Sequence, residues 1–120
     1  MARDFRKIAA WQRAHALTLR IYQATSGFPS DERFGLVSQM RRACTSIPTN
    51  VAEGCGRGTK NELARFIDIA MGSTSEVEYQ LLLAKDLGYL PKEQHTDLAT
   101  EVTEIRRMLL AFNKTLRTNS

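Results

Sequence analysis

Apolar residues recur along this chain at alternating spacings of three and four, the period of a helix with one buried face. Ala10, Ala14, Leu17, Ile21 and Ala24 form the first such stripe, widened by Trp11 and Tyr22, and predict a helix over about residues 6–25 with Asp4 as its N-cap. Ser26-Gly27-Phe28-Pro29 ends it, with Gly27 suited to the left-handed position after a helix. Ser30 is the expected cap of the second helix, with Asp31 and Glu32 favoured in its first turn; Arg33 stands where a full capping box needs Glu or Gln. Val37, Met40, Cys44, Ile47 and Val51 carry the second stripe. Pro48 lies inside it, so the helix either kinks there or ends near Ser46; the unbroken apolar phase favours a kink.

The third helix has the strongest start signal. Thr59-Lys60-Asn61-Glu62 matches a capping box, Leu63, Phe66, Ile67, Ala70, Thr74, Val77, Leu81 and Ala84 keep helical phase to Leu87, and Gly88 closes the segment. Leu90-Pro91 opens the fourth helix, whose Leu98, Val102, Ile105, Leu109, Phe112 and Leu116 form a heptad seam; Thr118-Asn119-Ser120 is expected to fray. No segment alternates like a strand, and no internal repeat is present. Four amphipathic helices with short connections predict an all-α, antiparallel up-down-up-down four-helix bundle, the second helix kinked at Pro48, in a single domain spanning residues 1–120.

Composition agrees with one soluble domain: 120 residues, 42% hydrophobic and 25% charged. No apolar run approaches the length of a membrane span, and Met1 to Lys7 has no apolar leader stretch, so a cytoplasmic protein with no membrane partner is expected. Charge is uneven. Residues 1–65 hold 11 Lys/Arg and 5 Asp/Glu, net +6, while residues 66–120 hold 6 and 8, net −2. A basic half on a chain of net charge +4 suits a phosphate backbone or an acidic protein surface, although solubility alone also accounts for it.

Candidate chemistry is sparse. Cys44 and Cys55, eleven residues apart on one helix, would stand ~16 Å apart, too far for a disulfide. With only His15 and His95 besides, there is no four-ligand zinc arrangement, and no cofactor is implied. No nucleophile–base set is suggested, His15 reads as a packing or surface residue, and nothing places Glu53 and Glu76 in a cleft; an enzyme is not expected. The loop from Gly54 to Lys60 has three glycines, two cations and a following helix start, but lacks the strand and spacing of a P-loop.

Two polar stripes border the apolar seams. Gln39, Arg42, Ser46, Asn50, Glu53 and Arg57 share a face of the second helix; Arg65, Asp68, Gly72, Glu76 and Tyr79 share one on the third. They are solvated faces or a network between subunits. Gly72, with Ser73 beside it, costs about 1 kcal/mol mid-helix relative to Ala, which predicts a close approach of a neighbouring helix there.

Three stretches carry a resemblance. Phe34-Gly35-Leu36-Val37-Ser38-Gln39-Met40-Arg41-Arg42-Ala43, Ser46-Ile47-Pro48-Thr49-Asn50-Val51-Ala52-Glu53-Gly54 and Arg65-Phe66-Ile67-Asp68-Ile69-Ala70-Met71-Gly72-Ser73 resemble the bacterial four-helix bundle proteins also called 23S ribosomal RNA intervening-sequence proteins. Trp11 to Ala14, Phe28-Pro29 and Leu87 to Leu90 match as well. The resemblance implies an all-helical cytoplasmic homopentamer in a family with no settled activity. It also implies kinship in shape with the accessory proteins of diversity-generating retroelements, basic barrels that bind a reverse transcriptase and nucleic acid. Some relatives are encoded within insertions in large-subunit ribosomal RNA genes.

On these grounds the expected function is a non-enzymatic homo-oligomeric binding module with RNA or DNA as its partner. Arg41, Arg42, Arg57, Lys60 and Arg65 are the candidate phosphate contacts. Gln39, Arg42, Ser46, Asn50, Glu53, Arg65, Gly72, Ser73 and Glu76 are the candidate polar network of the bundle or its subunit contacts. A scaffold recruiting another protein is the alternative.

Overall fold

The computed structural model describes residues 3–118. Its elements are α1 (Ala9–Thr25), α2 (Leu36–Cys55), α3 (Lys60–Asp86) and α4 (Lys92–Thr118), with no strand among the described residues. α2 packs on α1 and α3, and α4 on α3 and α1, so the four helices close a ring of neighbours. The amide of Arg3 donates to the Cys55 carbonyl at 3.0 Å, which sets the approach to α1 beside the end of α2. A 27-residue helix is ~40 Å long, and the long axis of the molecule is 46 Å: two helix lengths set the shape.

The predicted stripes meet along the axis. Leu17, Ile21, Met40, Ile47, Val51, Ile67, Val77, Leu81, Leu98, Val102, Ile105 and Leu109 are all fully buried. Each large aliphatic side chain so buried contributes roughly 1.5–3 kcal/mol against the entropy of ordering the chain.

Helix ends depart from expectation in ways the local chemistry explains. Asp4 caps a 3-10 turn, Phe5–Lys7, by accepting from the Arg6 amide at 3.0 Å; α1 itself starts at Ala9. Ser30 opens another 3-10 turn, Ser30–Glu32, and α2 starts only at Leu36. The first amide of α2 is satisfied by Glu32, whose Oε1 lies 3.1 Å from the Leu36 amide, so the acid at 32 reaches forward to do what Ser30 does not. Gly27 is not left-handed. The chain leaves α1 through a right-handed turn in which the Phe28 amide donates to the Thr25 carbonyl at 3.1 Å and Phe28 is buried. Gly88, with φ of +81°, is the left-handed residue and ends α3 as expected. The Thr59 hydroxyl accepts from the Glu62 amide at 3.1 Å at the start of α3. Thr118 is the last residue of α4; the rest of the expected frayed tail, 119–120, lies outside the described residues.

α2 runs unbroken through Pro48 and does not end near Ser46. Pro48 has no N–H for the Cys44 carbonyl. The Thr18 hydroxyl of α1, which donates to Ala14 at 2.8 Å, stands 3.5 Å from that carbonyl and gives it a polar neighbour in a buried place.

Two further expectations are corrected. The close-approach glycine is Gly54, not Gly72. A Cβ on Gly54 would sit 2.8 Å from Leu63 Cδ1 and 2.9 Å from Phe66 Cβ, whereas a Cβ on Gly72 meets nothing within 4 Å. On α4, Phe112 is only half-buried and Asn113 is buried in its place. At ~100° per residue, positions 112 and 113 straddle the core axis about 50° to either side, because a straight helix drifts against a strict seven-residue repeat. Asn113 faces α3, where its Nδ2 donates to Asp68 Oδ1 at 2.6 Å.

Candidate nucleic-acid interface

The two polar stripes do not form one network. At the α2–α3 contact the Ser46 and Ser73 hydroxyls lie 2.8 Å apart, and Asn50 Nδ2 donates to the Ser46 carbonyl at 2.8 Å and hydroxyl at 2.9 Å. Small hydroxyl side chains let the helices approach while satisfying each other. Gln39, Arg42 and Glu76 border this contact in a groove of about 230 Å³. Glu53 instead pairs with Arg57 at 3.0 Å, and Arg65 with Glu62 at 3.1 Å. Gly72 faces open space on the outer side of α3. Thus Ser46, Asn50 and Ser73 are hydrogen-bonded together at the α2–α3 contact, while Glu53, Arg65 and Gly72 stand outside that cluster.

The candidate basic residues fall into two groups. At the α2–α3 turn the guanidiniums of Arg57 and Arg65 lie 5.0 and 4.6 Å from the Phe66 ring centre, each also paired with a glutamate. The Arg65 hydrogen bond holds the Glu62 carboxyl below its ordinary pKa. Lys60, the exposed first residue of α3, is nearby in sequence. The second group lies on the α1–α2 side. Arg41 donates from Nε to the Thr25 hydroxyl at 2.9 Å and from Nη2 to the Tyr22 carbonyl at 3.2 Å, closing the C-terminal end of α1. Its guanidinium also sits 4.5 Å from the Tyr22 ring centre. Arg42 is exposed beside it, and Arg33 lies 5.4 Å from the Phe34 ring centre. Among the described residues, Arg33, Arg41 and Arg42 have no carboxylate within ion-pair distance. On α4 the reverse holds: Arg106, Arg107 and Arg117 pair with Glu78, Glu104 and Asp68.

Arg33, Arg41 and Arg42 border an open groove of about 700 Å³ between α1 and α2, with Tyr22 and Phe34 at its edges. Phe34 is 87% exposed and Tyr22 44%, both unusual for large rings. A second groove of about 360 Å³ adjoins it, sharing Tyr22, Thr45 and Thr49 and reaching Trp11 and His15. Trp11 and His15 stack with ring centres 5.0 Å apart and 8° between planes, and Phe5 meets Trp11 edge-on at 4.9 Å. Neither Phe34 nor Arg33 was expected here from the sequence. The signal for the rest was present, since Trp11, His15, Thr18 and Tyr22 follow at spacings of 4, 3 and 4, a separate stripe beside the core seam.

Among the described residues, no cysteine or carboxylate lines these two grooves. The two cysteines are free and buried; burial pushes the Cys44 thiol up to about 11 and raises that of Cys55, away from the thiolate a nucleophile needs. Among the described residues no three His, Cys, Asp or Glu side chains are placed to hold a metal ion, and no helix is long and apolar enough to cross a membrane.

The fold is similar to a crystal structure described as a protein with unknown function from the S23 ribosomal protein family of Bacteroides thetaiotaomicron VPI-5482. The TM-score is 0.81 at 24% identity, covering 88% of this chain and 95% of that one. At that identity the likeness speaks for the bundle alone. No curated protein matches the chain. The family described as 23S rRNA-intervening sequence protein matches residues 6–111, and over that span the Ser46–Gly54 segment supplies the hydroxyl bridge, the embedded proline and the tight glycine that shape α2. With nearly its whole length so matched, the chain belongs to the 23S rRNA-intervening sequence protein family.

Proposed function

We propose that this protein is a non-enzymatic, homo-oligomeric binding module that takes nucleic acid, RNA or DNA, on its basic α1–α2 side. The observation that carries the reading is the set of three arginines, Arg33, Arg41 and Arg42, around an open groove, with no carboxylate in ion-pair range among the described residues. Guanidiniums already paired with acids, as on α4, gain little by meeting phosphate; Arg33 and Arg42 lack such a pair, and Arg41 keeps its charge although two of its donors are held by Thr25 and the Tyr22 carbonyl. Arg57, Lys60 and Arg65 form a second, partly neutralised basic site at the α2–α3 turn. Self-association is supported by the outer side of α3, where Ile69, Tyr79 and Leu82 are exposed around the open Gly72. The pentameric ring implied by the family resemblance needs such a heterologous contact. Two buried thiols fit a reducing cytoplasm.

The test is a light-scattering mass combined with absorbance at 260 and 280 nm on protein purified without nuclease, followed by salt titration of added RNA and DNA. A mass above 13.5 kDa with co-purifying nucleic acid, and binding that falls steeply with salt, is expected. Binding that is absent, or indifferent to salt, overturns the nucleic-acid reading; a mass of one chain overturns the oligomer. Tyr79, 61% exposed on α3, favours a second reading, a scaffold for another protein. Purification with a stoichiometric protein partner and no nucleic acid would establish that one instead.

A further inference from the structure

We infer that the α1–α2 groove is built for an unpaired strand, with bases stacking on Tyr22, Phe34 and the Trp11–His15 pair while Arg33, Arg41 and Arg42 hold the phosphates. This rests on the nucleic-acid reading above and narrows it to one strand state and one face.

The rings form a path, and the cations gather at its Tyr22–Phe34 end. Trp11, His15 and Tyr22 lie on one stripe of α1, and eleven residues of helix separate the first from the last by ~16 Å. The two grooves share Tyr22, Thr45 and Thr49, so the path between the rings is continuous. Its α2 side is low because Ser38, Thr45, Thr49 and Ala52 are small. Phe34 extends the path past Tyr22, and the two rings at that end have guanidiniums beside them, Arg41 at Tyr22 and Arg33 at Phe34. A base laid on either ring therefore brings its phosphate toward a cation. At about 3.4 Å per stacked nucleotide, ~16 Å accommodates about five bases.

The rings decide the strand state. A phenyl ring 87% exposed to water carries an energetic cost that a base face removes. In a duplex those faces are already stacked on each other, and phosphate contacts would need no aromatic residues. A phosphate-only surface would be served by Lys and Arg among polar neighbours. Stacking rings and charge along one groove are the recurring parts of sequence-tolerant single-strand sites.

The probe is a fluorescein-labelled ten-nucleotide oligo(dA), compared with its abasic analogue of equal charge and with a ten-base-pair duplex, in fluorescence anisotropy. Oligo(dA) is expected to bind more tightly than the other two. Phe34→Ala and His15→Ala should each weaken it by roughly 5- to 100-fold, with log K falling against log salt at a slope of about −2 for three phosphates. Both side chains are exposed, so the melting temperature should hold; Arg42→Gln serves as a third variant that leaves the rings intact. Equal affinity for the abasic strand or the duplex overturns the groove. So does binding unchanged in Phe34→Ala and His15→Ala but lost in Arg57→Ala and Lys60→Ala, while the broader nucleic-acid reading would stand. No binding of any oligonucleotide removes both. A Phe34→Ala variant that keeps its affinity but changes its assembly mass would show that a second copy occupies the groove.

Discussion

Two glycines set the sharpest test of this packing. Gly54→Ala and Gly72→Ala make the same chemical change in long helices; mid-helix Gly72 gains roughly 1 kcal/mol of intrinsic helix propensity, and Gly54, next to last in α2, gains less. At Gly72 the added methyl enters open space, so that gain is expected to appear as stabilisation of about 0.5–1 kcal/mol. At Gly54 the methyl arrives 2.8 Å from Leu63 Cδ1 and 2.9 Å from Phe66 Cβ, with the Leu63 Cα at 3.4 Å behind them. The Leu63 methyl can rotate away, but Phe66 Cβ is fixed to its helix, so α3 must shift. Overpacking of this kind costs about 1–3 kcal/mol. Because Gly54 gains no more propensity than Gly72, the difference between the two variants contains the whole packing cost. At about 4 °C per kcal/mol for a domain of this size, Gly54→Ala should melt ~4–12 °C below Gly72→Ala. Helical ellipticity followed through thermal and urea unfolding, at one protein concentration for all three proteins, measures it. Equal shifts of the two variants would refute the close α2–α3 approach at Gly54, and a Gly72→Ala variant that is less stable than the parent with an unchanged assembly mass would refute the open space beyond Gly72.

Other expectations concern single contacts. Arg13 grips Glu101 with two hydrogen bonds at 2.6 and 2.8 Å, tying α1 to α4. Those bonds hold the Glu101 carboxyl below its ordinary value, so their stabilisation is present above that value and is lost as pH falls through the lower, folded one. Arg13→Ala should therefore cost up to about 1 kcal/mol at pH 7 by urea titration and nothing at a pH where Glu101 is protonated; a cost unchanged by acid would rule the ion pair out as its source. Cys44, fully buried with its thiol pushed up to about 11, should resist iodoacetamide at pH 8 in the folded protein and react once urea unfolds it; rapid labelling in the native state, read by mass spectrometry, would contradict its burial. Asn113 buries an Oδ1 without a partner, and Asp68 keeps Arg117 at 2.6 Å when Asn113 is removed, so Asn113→Leu should raise stability by about 1 kcal/mol, and a clear loss in urea unfolding would show the Asn113–Asp68 bond to be worth more than the buried carbonyl costs.

Stripes that a helix can show by itself were readable. The seams through Leu17, Ile47, Leu81 and Ile105 follow from a 3.6-residue repeat, and the Thr59–Glu62 cap and left-handed Gly88 from backbone groups within a few residues. Four such seams leave little besides a bundle, because each must bury its apolar side. What required the folded chain was every choice between neighbours. Whether Gly54 or Gly72 admits a second helix depends on which residues of α3 face α2. The choice of Asn113 over Phe112 depends on where Asp68 lies across the gap, and among the described residues no carboxylate comes within ion-pair distance of Arg33, Arg41 or Arg42. Phe34 entered the sequence reading only within the stretch that resembles the family, since a single ring outside any stripe does not tell whether another segment covers it. Periodicity is a property of one segment and survives in the sequence; close approach, charge neutralisation and exposure are relations between segments far apart in the chain, and only packing fixes them.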